Sequence, residues 1–99
     1  MDNYDSKYHV YEALSEHYGV DCRIDGPFIY ETGHVRIVIE IHDKAYYTTI
    51  RTLSLINESE MGAWLYTPPE HMESNDRLEN MYNRVCEHID NLEALMRLE

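Results

Sequence analysis

The sequence of 99 residues has little positive charge: eight Lys or Arg stand against 19 Asp or Glu, for a net charge of -11. Neutralising phosphates requires a footprint of Lys and Arg, so we do not expect direct binding of nucleic acid. Attraction to an anionic membrane surface is disfavoured for the same reason. The partner that such a charge attracts is a protein with a basic surface.

Cysteine and long apolar runs are also scarce. The two cysteines, Cys22 and Cys86, exclude a disulfide-rich scaffold. No run approaches the roughly 18 apolar residues of a membrane-spanning helix, and the N-terminus lacks the basic and apolar regions of a secretory signal. We therefore expect a cytoplasmic protein with two buried, reduced cysteines. A single bridge between them is the alternative.

Sequence patterns typical of catalysis are absent. The four glycines are isolated, which excludes a glycine-rich phosphate loop, and there is no GxSxG, HExxH, HxxxH or CxxC pattern. Six histidines are scattered along the chain. Only Glu40 and His42 share a predicted strand face, and Cys86 and His88 point in different directions on a predicted helix. We predict no catalytic residue, no metal and no cofactor. An enzyme or metal protein that uses these four residues is the alternative.

The first predicted element is a helix over 5–18. Tyr4, Tyr8, Tyr11, Leu14 and Tyr18 recur every three or four positions, which is the spacing of one helix face. Asp5 or Ser6 caps its start, and Gly19 follows its last turn.

The middle of the chain predicts antiparallel strands. Residues 35–42 alternate between apolar and polar, and 45–52 return in β-branched and aromatic residues after a tight Asp43-Lys44 connection. The simplest register pairs Ile41 with Tyr46, Ile39 with Thr48, Ile37 with Ile50 and Arg36 with Arg51. The apolar positions change parity after Thr52, which predicts a bulge or a strand end. Short strands at 20–24 or 28–31, or at both, and an edge strand at 63–67 complete the pattern.

The last element is a long helix with an apolar stripe formed by Leu78, Tyr82, Val85, Ile89, Leu92 and Met96. The stripe predicts packing on the sheet. The alternative is a homodimer interface formed by Val85, Ile89, Leu92 and Met96. Together the elements predict one domain over 1–99 of the α+β class, with a small antiparallel sheet of three to four strands. The N-terminal helix and the long C-terminal helix cover one face of that sheet.

Residues 57–76 place the only Trp among five acids and no Lys or Arg. Five carboxylates without a cation repel one another, so we expect a cationic partner to meet them. Trp64 and Tyr66 either belong to an edge strand and pack into the core, or anchor the contact from an exposed loop. The predicted partner-binding residues are Glu58, Glu60, Trp64, Tyr66, Glu70, Glu73, Asp76 and Glu79.

In length and charge the chain resembles the small acidic inhibitors encoded by phages, which include anti-restriction proteins, anti-CRISPR proteins and uracil-glycosylase inhibitors. It is also similar in these respects to the immunity proteins that neutralise secreted nucleases. The resemblance implies a non-catalytic viral inhibitor that occupies the nucleic-acid-binding surface of a nuclease or CRISPR effector. It rests on length and charge, without a family motif. The alternative is a homodimeric interaction module that mimics no nucleic acid.

Overall fold

The computed structural model describes residues 6–21 and 27–97, the last two of these in backbone only. The elements are helix α1 (Lys7–Tyr18), strands β1 (Phe28–Glu31), β2 (Val35–Ile41), β3 (Thr48–Ser54) and β4 (Glu60–Tyr66), and helix α2 (Ser74–Arg97). The strands pair antiparallel in the order β1-β2-β3-β4. The predicted α+β fold is confirmed, with four strands. No helix in the described part of the chain is long and apolar enough to span a lipid bilayer.

Helix α1 ends at Tyr18, and Gly19 forms its C-cap. Gly19 adopts a left-handed conformation with φ 67° and ψ 37°, which costs glycine little because it has no Cβ. The amide of Val20 then donates to the carbonyl of Ser15 at 3.0 Å and closes the last turn. Ser6 occupies the N-cap position without a side-chain capping bond. The other predicted cap, Asp5, lies outside the described residues.

The sheet keeps the predicted faces, but the predicted register of β2 and β3 is wrong by two residues. Ile39 pairs with Ile50, and Ile41 pairs with Thr48. The connection is longer than predicted because Ala45 and Tyr46 both adopt positive φ angles, of 57° and 54°, before β3 begins.

The register also separates two arginines that the prediction had paired. Arg36 faces Leu53, and Arg51 faces Val38. The predicted irregularity after Thr52 is present as a register shift between β3 and β4. Of the two short strands predicted before residue 32, β1 corresponds to 28–31, and most of 20–24 lies outside the described residues.

One face of the sheet forms the core, and the two helices cover it. Ile37, Ile39, Ile41 and Ile50 are fully buried on this face. Tyr11 of α1 fixes the helix to the sheet, because its hydroxyl accepts a hydrogen bond from the amide of Ile41 at 2.8 Å. The other face, which we call the open face, carries the exposed residues that alternate with the isoleucines of β2.

Helix α2 contributes the second half of the core. Leu78, Met81, Val85 and Ile89 are fully buried. The alternative in which Val85 and Ile89 form a dimer interface is therefore not supported, because these side chains already lie inside a single chain. Leu92 is half-buried against the same core, and the side chain of Met96 lies outside the described residues. At 1.5 Å per residue, the 24 residues of α2 span about 36 Å.

A truncation at the centre of this stripe tests the packing. We expect Ile89→Ala to lower the free energy of unfolding by about 2–5 kcal/mol, because it leaves a cavity under α2. Leu95→Ala is the matched control: this side chain is 63% exposed, and its loss costs less than about 0.5 kcal/mol. Urea denaturation followed by circular dichroism measures both. An Ile89→Ala variant with unchanged stability but a smaller assembly size would support the helix-pair alternative instead.

Candidate functional site

The acidic segment 57–76 folds as the edge strand β4 with a connection at each end, so the exposed-loop hypothesis for its aromatic residues is wrong. Trp64 and Tyr66 lie on β4 and pair with Ile50 and Thr48 of β3. Both partners are fully buried, which places the two aromatic side chains on the helix-covered face of the sheet.

Trp64 nevertheless keeps 38% of its surface exposed. Its indole lies over Gly62, where an added Cβ would come within 2.5 Å of the ring. On the other side it meets the His88 ring edge-to-face, with centroids 4.6 Å apart. Trp64 therefore closes the side of the core between β4 and α2 while its outer rim stays in solvent.

A groove runs between β4 and α2 along this rim. Its volume is about 180 Å³. The side chains that line it are Trp64, Tyr66, Arg84, Glu87, His88, Asn91, Leu92 and Leu95. Pockets that hold drug-sized molecules occupy roughly 300–1,000 Å³. The groove is therefore smaller than a pocket for a drug-sized molecule and has room for a side chain of a partner.

His88 lies at the base of the groove. Its Nδ1 and the Tyr66 hydroxyl are 3.1 Å apart, and Arg84 lies over the Tyr66 ring at 5.1 Å. The Nε2 atom is buried and has no hydrogen-bond partner among the described residues. Burial lowers the pKa of His88 from its ordinary value of 6.5, so the ring is neutral at pH 7. In the described part of the chain no carboxylate orients this imidazole, which makes it a packing residue and a weak candidate for a catalytic base.

The predicted partner-binding acids do not form one cluster. Glu58 and Glu60 lie at the start of β4. The other four acids lie beyond its end, in the connection to α2 and in its first turns: Glu70, Glu73, Asp76 and Glu79. The strand separates the two groups by about 20 Å. Glu60 is also compensated, because the Arg51 side chain donates to its carboxylate at 2.8 Å.

An acidic surface made of two pairs of carboxylates, about 12 Å apart along the helix axis, lies on α2 instead. We name it the acidic ridge: Asp76, Glu79, Glu87 and Asp90. All four are exposed, and their spacing places them on the side of α2 away from the sheet. The distance from the first to the last is about 21 Å along the helix axis. Asp76 also has a structural role, because a carboxylate in the first turn is favoured by the helix dipole.

The two arginines of α2 whose side chains the structure describes contact groups other than the ridge carboxylates. Arg77 donates to the carbonyl of Glu70, and Arg84 covers the Tyr66 ring on the flank that faces β4. In the described part of the chain the ion pairs of Lys and Arg involve Asp43, Glu31 and Glu60. None of them includes a ridge acid. Glu87 and Asp90 were not among the residues predicted to bind a partner. The signal for them in the sequence is an i, i+3 pair of acids on the same side of the helix as Asp76 and Glu79.

The alternative metal and nucleophile residues have ordinary surroundings. The His42 ring stacks on Tyr47 at 4.1 Å, and its Nε2 is 4.0 Å from the Glu40 carboxylate. Nowhere in residues 6–21 and 27–95 do three metal-ligating side chains converge. Cys86 is a free thiol whose pKa is raised by burial, which makes it a poor nucleophile. Cys22 lies outside the described residues.

Comparison with protein-family models, with curated proteins and with solved structures gives no match. The acidic ridge and the groove between β4 and α2 are therefore the features that bear on function.

The buried His88 predicts a pH dependence of stability. Because its pKa in the folded chain lies below 6.5, the unfolded chain takes up the proton first as the pH falls. The stabilisation is complete above pH 6.5 and is lost as the pH falls from there toward the folded-state pKa. When the pH is lowered from about 7.5 to about 5, the free energy of unfolding should fall less in His88→Gln than in the native chain. Urea denaturation at the two pH values measures this, and equal losses would contradict it.

The close contact over Gly62 predicts a second effect. In Gly62→Ala the added methyl group displaces the indole from His88 and costs about 1 kcal/mol, the size of one lost aromatic contact. The emission of Trp64, the only Trp, should shift to longer wavelength. Gly33→Ala is the matched control, because a Cβ there meets nothing within 4 Å. Unchanged emission in Gly62→Ala would show that the indole does not lie over this glycine.

Proposed function

We propose that this chain is a non-catalytic inhibitor that docks its acidic ridge onto the basic nucleic-acid-binding surface of a nuclease or a similar enzyme. The observation that carries the proposal is the uncompensated ridge. Four exposed carboxylates lie on one side of α2, while the described arginines of that helix face other groups.

The dimensions of the ridge suit a surface that binds phosphates. Its length of about 21 Å corresponds to about six base-pair steps of 3.4 Å. Arginine binds carboxylate and phosphate through the same bidentate geometry, so carboxylates can occupy sites that evolved for phosphates. The excess negative charge steers the chain to a cationic groove and raises the association rate.

Neighbouring residues extend this surface before Asp76 and beside Glu87. Glu70 and Glu73 are exposed and precede Asp76 in the connection to α2. Glu87 belongs both to the ridge and to the groove beside Trp64. A partner that covers the ridge of a single chain near Glu87 therefore also reaches the exposed rim of Trp64, whose burial adds affinity to the charge contacts.

The class of target follows from the chemistry that the ridge can recognise: an enzyme whose DNA or RNA channel is lined with Lys and Arg. This is the kind of enzyme that anti-restriction, anti-CRISPR and immunity proteins neutralise. His88 in the groove contacts Tyr66 and Trp64, and no carboxylate of the described residues orients its imidazole. For this reason we propose binding without catalysis.

A panel of purified DNA- and RNA-cleaving enzymes tests the proposal, with cleavage of a fluorescent duplex as the readout. We expect inhibition of at least one enzyme, with potency falling steeply between about 50 and 500 mM NaCl as screening and ion release oppose the contact. One variant replaces all four ridge acids by their amides: Asp76→Asn, Glu79→Gln, Glu87→Gln and Asp90→Asn. Its potency as an inhibitor should be lower by about tenfold or more.

A second four-charge variant controls for net charge. Glu12, Glu16, Asp21 and Glu58 are exposed and lie outside the ridge, and their conversion to amides leaves the ridge intact. Potency should then stay within about threefold of the native chain, because distant exposed charges act weakly through screening solvent. Equal losses in the two variants, or potency that does not depend on salt, would refute the proposal.

A further inference from the structure

The two edges of the sheet differ in how they are protected. The β1 edge is four residues long, follows Pro27 and ends at Glu31. The β4 edge is seven residues long and pairs only with β3 in the described part of the chain. Exposed edge strands usually carry a Lys, a Pro or an inward-pointing charge that prevents pairing with another chain. From Gly62 to Tyr66, β4 has none of these.

The β4 edge is also the apolar part of an acidic molecule. Residues 61–69 contain no charged side chain. Seven large hydrophobic side chains of the described residues are exposed, and four of them line β4 or the groove beside it: Met61, Trp64, Leu65 and Leu95. Two copies of a chain with net charge -11 repel one another, and this edge is where they can approach with the least repulsion.

The side-chain sizes of β4 are complementary when two copies of the strand pair antiparallel. Beyond the register shift at its start, the regular part of β4 runs from Gly62 to Tyr66. Its first two residues, Gly62 and Ala63, are small, and the two that follow Trp64, Leu65 and Tyr66, are large. An antiparallel copy centred on Trp64 places Gly62 opposite Tyr66 and Ala63 opposite Leu65, so every small residue meets a large one. Gly62, Trp64 and Tyr66 all lie on the helix-covered face, and Ala63 and Leu65 lie on the open face, so the pairing keeps each contact on one face of the sheet.

We propose that β4 pairs with β4 of a second copy of this chain, with the two Trp64 residues opposite each other on a two-fold axis. The product is a continuous eight-stranded sheet with both helical layers on the same side. The pairing satisfies the free backbone groups of the edge and buries the exposed parts of Trp64 and Leu65. A strand of a different protein is the competing occupant. The proposal does not depend on the inhibitor function, because the ridge residues take no part in it.

Sedimentation equilibrium over about 5–200 μM protein tests this, since a dimer of micromolar affinity dissociates in that range. Screening of the like charges should strengthen the dimer as NaCl rises from about 50 to 500 mM. This is opposite in sign to the salt effect expected for a basic partner, so failure of one proposal is distinguishable from failure of the other. A monomer at every concentration and salt, or a dimer that weakens as salt rises, would overturn the pairing.

Paired substitutions test the register. Leu65→Lys should weaken dimerisation by about tenfold or more, because it places a charge without a partner in the interface. Ala63→Glu should weaken dimerisation less, because the glutamate lies opposite Arg51 of its own chain. Both positions are exposed in the single chain, so the fold tolerates the change, which circular dichroism checks. In the double variant the introduced glutamate faces the introduced lysine of the second copy, and dimerisation should recover.

Ile56→Lys provides the matched control. This side chain is 78% exposed and lies in the turn before β4, so the substitution adds the same charge outside the proposed interface and should leave the dimer intact. Three outcomes would overturn the proposal: a dimer that resists Leu65→Lys, a dimer lost equally in Ile56→Lys, or a double variant that fails to recover.

Discussion

The contact between the isoleucine face of the sheet and the stripe of α2 determines the rest of the molecule. Ile37, Ile39, Ile41 and Ile50 are fully buried beneath Leu78, Val85 and Ile89, and burial of such side chains contributes roughly 1.5–3 kcal/mol each. Once the stripe faces the sheet, every other position of α2 has a fixed orientation. The carboxylates of Asp76, Glu79 and Glu87 then point to solvent, that of Asp90 meets the Tyr18 hydroxyl at the edge of α1, and Arg84 and His88 turn toward β4. Charge segregation on the surface is thus a consequence of how the core packs.

The same contact leaves the β4 side of the core without a covering element. Helix α1 packs on the other side of the core, where the ring of Tyr18 contacts Phe28 and Tyr30. The Tyr18 hydroxyl donates a hydrogen bond to Asp90. On the β4 side, Trp64 spans the gap between strand and helix. Gly62 favours this position of the indole, because a Cβ there would come within 2.5 Å of the ring and displace it. An aromatic residue that closes a core from its edge necessarily leaves part of its ring in water, which explains why Trp64 is both packed and exposed.

Periodicity predicted the elements well, because it depends on which face of a strand or helix is buried. The alternation in β2 and the stripe of α2 each correspond to buried residues in the structure. The register of β2 and β3 was not predictable from alternation, since a shift of two residues preserves every face. It depends on Ala45 and Tyr46, whose positive φ angles extend the connection and which no turn motif announces. The distribution of the acids was missed for a related reason: residues close in sequence are separated when a strand lies between them, as Glu60 and Glu70 are.

Pairing through β4 and docking through the ridge are geometrically compatible. The ridge lies on the outward side of α2, whereas β4 lies at the sheet edge, so the two surfaces meet only at the rim of Trp64, which pairing buries and which a partner of the dimer then does not contact. A two-fold axis at Trp64 perpendicular to the sheet would place both helical layers on one side, with the two ridges running in opposite directions. Two identical acidic ridges on a rigid platform would engage a symmetric or extended basic surface as a bivalent ligand, whose second contact forms at high effective concentration. Rising salt would then weaken each contact between a ridge and the partner, but it would strengthen the β4–β4 dimer. The affinity of the bivalent complex would therefore depend less on salt than the charge of one ridge implies.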